Sequence, residues 1–112
     1  MTAPATTYPE MKLGSFTFTS DGVTTTIRGL GREAQLPTYW FLRSTYRILW
    51  FDFLIGQFEY YGGFGITNDE TSVYLLMLGS PKLAEKHPRE EAREFFRKMY
   101  DAFKTPGYKE LT

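Results

Sequence analysis

Asp52 is the residue whose type and setting most directly suggest chemistry. It stands between Phe51 and Phe53, inside the apolar run Tyr46–Ile66 (YRILWFDFLIGQFEYYGGFGI). Burial among such neighbours raises a carboxyl's pKa and suits it to general acid–base work. With Tyr46 or Tyr74 as hydrogen-bond donor, the result would be a small isomerase or lyase acting in an aromatic pocket. A plainer account pairs Asp52 with Arg28, Arg43 or Arg47, because structural ion pairs perturb carboxylates as readily as catalysis does.

The remaining ionisable groups argue against an enzyme. His87 is the one histidine, placed just before Pro88 at a helix entrance, where capping the backbone is the ordinary role. Glu85, Glu90, Glu91 and Glu94 interleave with Arg89, Arg93, Arg97 and Lys98, the i, i+4 pattern of a solvated helix face rather than of a metal site. There is no cysteine, which removes disulfides, thiolate nucleophiles and Cys-ligated zinc. No metal and no cofactor is expected.

A second group of residues suits contact rather than catalysis. Arg28, Arg32, Arg43 and Arg47 lie among Tyr39, Trp40, Tyr46 and Trp50, and arginine with aromatic rings dominates many protein interfaces. Tyr60, Tyr61 and Phe64, in a glycine-rich hairpin, extend the set. The same types grip single-stranded nucleic acid, but thirteen basic and thirteen acidic residues give zero net charge, which favours a protein partner or self-association. The alternative is that the arginine stems cover sheet edges and their charges pair with Glu33, Asp52 or Glu59. Aromatic residues make up 18% of the chain, more than a core of this size needs. The expectation is a non-enzymatic binding or assembly module, an accessory subunit or small inhibitor of a larger complex. The YYGGFGI stretch shares Gly-Phe-Gly with RNA-recognition strands, yet Ile66 stands where an aromatic belongs and the flanking basic residue is missing.

These residues need elements to hold them. The 112 residues are enough for one domain over 12–112, preceded by an extended polar tail over 1–11. Residues 12–28 predict a hairpin: Phe16 and Phe18 alternate with threonines, Val23, Thr25 and Ile27 do likewise, and Asp21-Gly22 supplies the turn. Residues 29–38 read as a connection with at most one helical turn. Over 38–55, Arg43, Ser44, Arg47 and Asp52 scatter around a helical wheel and define no polar face, which favours strands. The chain then turns near Gly56 or at Gly62-Gly63, returns over 64–67, turns at Asn68-Asp69-Glu70 and forms a strand over 72–78. Ser80-Pro81 caps a short helical turn over 82–86.

Ala92, Phe95, Phe96, Met99, Tyr100 and Phe103 then make one apolar stripe of a helix over about 88–104. No internal repeat stands out. The fold class is α+β: an antiparallel, curved or partly closed sheet of about five to six strands, covered by one long C-terminal amphipathic helix. That element order is similar to pleckstrin-homology-like barrels, which also finish on a capping helix. The N-terminus has no signal-peptide pattern, and Arg43, Arg47 and Asp52 interrupt the one long apolar run, so the expectation is a cytoplasmic protein with no membrane span.

Overall fold

The computed structural model describes residues 8–50, 56, 58–77 and 81–104. The chain runs as two like halves. In the first, β1 (Met11–Leu13), β2 (Phe16–Ser20), β3 (Thr24–Gly29) and β4 (Arg32–Pro37) form an antiparallel meander, and α1 (Thr38–Trp50) follows. In the second, β5 (Phe58–Tyr61), β6 (Phe64–Asn68), β7 (Ser72–Met77) and β8 (Ala84–Pro88) form another, and α2 (Arg89–Phe103) follows. A 3-10 turn, Pro81–Leu83, leads into β8. The α+β class, the antiparallel pairing and the C-terminal helix are as expected. The single sheet of five to six strands, and with it the pleckstrin-homology-like barrel, gives way to two four-stranded sheets. Among the described residues no helix is long and apolar enough to cross a membrane.

The halves repeat in detail. Gly14-Ser15-Phe16-Thr17-Phe18-Thr19-Ser20-Asp21 corresponds to Gly62-Gly63-Phe64-Gly65-Ile66-Thr67-Asn68-Asp69, 48 positions later. Gly14 and Gly62 both turn with positive φ, 57° and 63°. Asp21 Oδ1 accepts the amides of Val23 and Thr24 at 2.8 and 2.7 Å, while Asp69 Oδ1 accepts those of Thr71 and Ser72 at 2.9 and 2.7 Å. Each helix starts by donating its first amide to that turn, Thr38 to the Val23 carbonyl and Arg89 to the Thr71 carbonyl. An aspartate that satisfies two turn amides fixes the hairpin without a bulky side chain. The repeat escapes the eye because little more than Gly, Phe, Thr and Asp is shared.

Three sequence expectations fail for identifiable reasons. The connection over 29–38 is the β3–β4 hairpin: Leu30 and Gly31 both have positive φ, 54° and 75°, as a type I′ turn requires, and Ala34 and Leu36 point inward. The strand expected over 38–55 is helix as far as Trp50. Its inward face carries Thr38, Phe41, Leu42, Ser44 and Thr45, so Ser44, one of the residues that break the wheel, is buried. Thr45 hides its hydroxyl by donating to the Phe41 carbonyl at 2.8 Å. The helical turn over 82–86 is mostly β8, whose alternation is disguised because Glu85 and His87 occupy its inward positions. Met11 opens β1, and Tyr8 before it meets Phe103 edge-on at 6.1 Å.

The core lies where the halves meet. Phe16 and Phe64, equivalent residues, touch at 6.1 Å. Phe18 has Phe41 of α1, Phe64 of β6, and Phe95 and Phe96 of α2 around it at 5.4–6.2 Å. Each first turn also reaches across to the other half. A side chain at Gly62 would collide with the Gln35 carbonyl of β4, and one at Gly14 with Glu85 and His87 of β8.

Gly31 faces open space, so Gly31→Ala costs only the strain of left-handed backbone, about 1–2 kcal/mol. Gly62→Ala adds the clash with Gln35, and we expect it to cost at least about 1 kcal/mol more. Urea unfolding of the two variants measures the gap; equal midpoints would mean that the halves do not meet at this turn.

Candidate functional site

The residues expected to make contacts converge in part on the N-terminal end of α1. Pro37 ends β4 and the helix starts at once, which leaves Tyr39 exposed and Trp40 half-buried against the edge of the core. Trp40 lies against Tyr61 with ring centroids 4.8 Å apart. Tyr39 is 55% exposed and Tyr61 44%. Val23, whose carbonyl receives the first amide of α1, is 76% exposed. Arg43 follows Tyr39 by one turn on the outer face, and Arg47, half-buried, follows by another. No acidic residue occurs in α1. Among the described residues no carboxylate forms an ion pair with Arg43 or Arg47.

The rest of the expected surface is dispersed. Phe64 is a correction: it follows the Gly62-Gly63 turn, pairs with Met77 and is buried against Phe16, Phe18 and Phe41, so it serves the core. Tyr46 packs on Tyr100 at 5.6 Å, where the two helices meet. Tyr60 is 45% exposed, but as the neighbour of Tyr61 in a strand it points to the opposite face. Trp50 is the last residue of α1, and Asp52 lies outside the described residues. Arg28 is on the outer face of the first sheet, bonded to Glu33 at 2.7 Å, so the four arginines do not line one surface.

A polar cluster at the edge of the core, with His87 buried, Glu85 half-buried and Ser15 exposed, joins the halves. His87 is on β8, buried, and its Nε2–H donates to Glu85 Oε1 at 2.7 Å; the Ser15 amide donates to the same oxygen at 2.9 Å. Burial pushes the Glu85 carboxyl up, but the Ser15 amide and hydroxyl and the His87 ring together hold it below its usual range. The carboxylate stands between serine and histidine. A serine relay needs the imidazole in that place, so the cluster is built as a latch. Its sequence signal was the Glu-x-His spacing, which puts both side chains on one face of a strand.

The β6–β7 turn holds a second polar group. Beyond the two amides on Oδ1, the Tyr74 hydroxyl donates to Asp69 Oδ2 at 2.8 Å. The Thr71 amide and then the Tyr74 hydroxyl pull the Asp69 pKa down to about 2. Arg89, buried at the start of α2, donates to the Asp69 carbonyl at 2.9 Å. Among the described residues no three His, Asp or Glu side chains converge as a metal ion would require.

No protein-family model matches the chain, and no curated protein matches it in sequence. The fold is similar to that of hydroquinone 1,2-dioxygenase from Sphingomonas sp. TTNP3, known from a crystal structure in complex with 4-nitrophenol. The TM-score is 0.78 at 21% identity, over 90% of this chain and 34% of that one. This chain thus spans about a third of that protein, and the likeness is one of fold.

Tyr74→Phe removes one donor from the ionised Asp69 and so favours its protonation. The Asp69 pKa should rise from about 2 towards the ordinary 3.8, stopping short because the turn amides remain. An NMR titration of the Asp69 carboxyl carbon reads this directly, and an unmoved pKa would show that the bond to Tyr74 is not made. For Glu85 the folded pKa is depressed, so its contribution is complete above the unfolded value near 4.5 and is lost as pH falls through the folded one. Glu85→Gln should lower the urea midpoint at neutral pH, and the gap should shrink as pH falls below the unfolded value and on through the folded one. A gap of equal size across that range would sink the charged latch.

Proposed function

We propose that this chain is a non-enzymatic docking module that binds a protein partner through Tyr39, Trp40, Arg43, Arg47 and Tyr61. The observation that carries this reading is the Trp40–Tyr61 stack, flanked by exposed Tyr39 and Arg43 and by half-buried Arg47, neither arginine having an ion-pair partner among the described residues. Aromatic anchors beside guanidinium groups are the side chains that contribute most to interfaces. The partner's matching surface presents carboxylates and an apolar shelf, since α1 offers cations and rings and no acid.

Comparison of the halves supports the same surface. Tyr39 and Trp40 occupy the positions that Glu90 and Glu91 hold in α2, one and two residues after the helix start. Acidic residues suit a solvated helix N-terminus; aromatic ones there suit a covered one. The similar fold in the Sphingomonas dioxygenase is one part of a longer chain, a setting in which such a unit lies beside further protein. An accessory component of a larger assembly fits both observations. Arg28 lies on the outer face of the first sheet and Arg43 and Arg47 lie on α1, which weakens the case for single-stranded nucleic acid.

A photo-crosslinking amino acid at position 39, expressed in the native host, should capture a discrete adduct, and one at position 28 should not. Arg43→Glu, at an exposed position, should abolish that adduct while the melting temperature stays within about 3 °C. Light scattering of the pure protein over a concentration series identifies the case in which the partner is a second copy. Equal capture from both positions, or none from position 39, would remove this surface from consideration.

A further inference from the structure

The two halves differ at one place where the first has a cleft and the second has a side chain. The cleft has a volume of about 370 Å³, is open to solvent, and is lined by Thr19, Ser20, Asp21, Thr24, Thr26 and Gln35 on the outer face of the first sheet. That volume falls within the range of small-ligand sites, roughly 300–1,000 Å³. Thr19, Thr26 and Gln35 form one cross-strand row of β2, β3 and β4. The corresponding row of the second sheet is Thr67, Tyr74 and Lys86. Thr26 therefore stands where the repeat has Tyr74.

In the second half the Tyr74 ring lies along this face and its hydroxyl donates to Asp69 Oδ2 at 2.8 Å. In the first, Asp21 is held in the same way, with Oδ1 taken by the Val23 and Thr24 amides. Its Oδ2 has no hydrogen-bond partner among the described residues. The turn amides keep Asp21 ionised by holding its pKa below the usual value, so Oδ2 is a charged acceptor aimed at the space that a phenol fills in the other half. Thr19, Thr24 and Thr26 line the cleft beside it, and Gln35 offers an amide for a polar substituent.

We infer that the cleft over Thr26 is a binding site for a phenolic ring, whose hydroxyl donates to Asp21 Oδ2 as Tyr74 does to Asp69 within the chain. The ring comes either from a free phenol or from a tyrosine side chain of another protein. This site is separate from the α1 surface and does not depend on it. An un-ionised phenol is the form bound, because the hydroxyl proton is what the carboxylate accepts.

The probe is p-cresol, the tyrosine side chain as a free molecule, followed by amide chemical shifts of Val23, Thr24 and Thr26. Toluene, which lacks the hydroxyl, should bind at least about tenfold more weakly, the difference expected for a hydrogen bond to a charged acceptor. Asp21→Asn keeps an oxygen for the turn amides and removes the charge, and should weaken p-cresol by about the same factor. Thr26→Tyr places a tethered phenol in the cleft and should abolish the p-cresol shifts. A Gly-Tyr-Gly peptide separates the two sources: binding tighter than p-cresol assigns the site to a partner's tyrosine, and exclusion of the peptide assigns it to a free phenol. Toluene binding as tightly as p-cresol, undiminished binding to Thr26→Tyr or Asp21→Asn, or the absence of any p-cresol shift would overturn the inference.

Discussion

The packing of Phe16 and Phe18 against the second half is the interaction on which the rest of this structure depends. A four-stranded meander has one apolar face and cannot bury it alone. Here each sheet finds cover in the other half: Phe18 reaches Phe41 of its own following helix, but also Phe64 of β6 and Phe95 and Phe96 of α2. A phenylalanine in such surroundings is worth about 3–5 kcal/mol against truncation, which is a sizeable share of a small protein's whole stability of about 5–15 kcal/mol. Neither half retains that ring's environment without the other. The turns that cross over, Gly14 to β8 and Gly62 to β4, exist because the cores have to close together.

With that constraint met twice by the same device, the repeat becomes an internal standard. Positions that agree between the halves carry the fold: the first-turn glycine, the inward phenylalanine, the turn aspartate, the amide from helix to turn. Positions that disagree are not required by the architecture, and they call for another explanation. Tyr39 and Trp40 against Glu90 and Glu91 is one such disagreement, and Thr26 against Tyr74 is another. A third is Glu85 and His87, which replace the apolar Ala34 and Leu36 on the inward row of the last strand. There the polar pair is tolerable because each member satisfies the other and Ser15 completes the shell.

What could be read from the sequence follows the strength of local signals. The Asp21-Gly22 hairpin and the α2 stripe were legible because alternation or a 3.6 period coincided with apolar side chains. Strand β4 was not, since its inward residues are only Ala34 and Leu36, nor was β8, since its inward residues, Glu85 and His87, are polar. The misreading of α1 has a sharper cause. Ser44 counts as a polar interruption on the helical wheel yet is buried, as is its neighbour Thr45, whose hydroxyl bonds back to a carbonyl one turn earlier. Ring type singles out Phe64 as much as Tyr39 and Trp40, yet Phe64 is buried, because type alone does not say on which side of a turn a ring will fall. Ser15 and Glu85 could not be paired from sequence, being brought together only by the crossing of the halves.

The same logic explains why Asp21 and Asp69, equal in position, are unequal in consequence. Both carboxylates are held ionised chiefly by turn amides, so the charge on each is a by-product of making the hairpin. In the second half that charge is answered inside the chain, since Tyr74 donates to it and its own hydroxyl becomes harder to ionise as a result. In the first half the threonine at the matching position is too short to reach, and the charge faces the cleft. A fold that needs the aspartate for its turn thus carries a directed acceptor wherever the strand beside it lacks a long donor, and only the side chain at position 26 decides whether that acceptor is internal or offered outward.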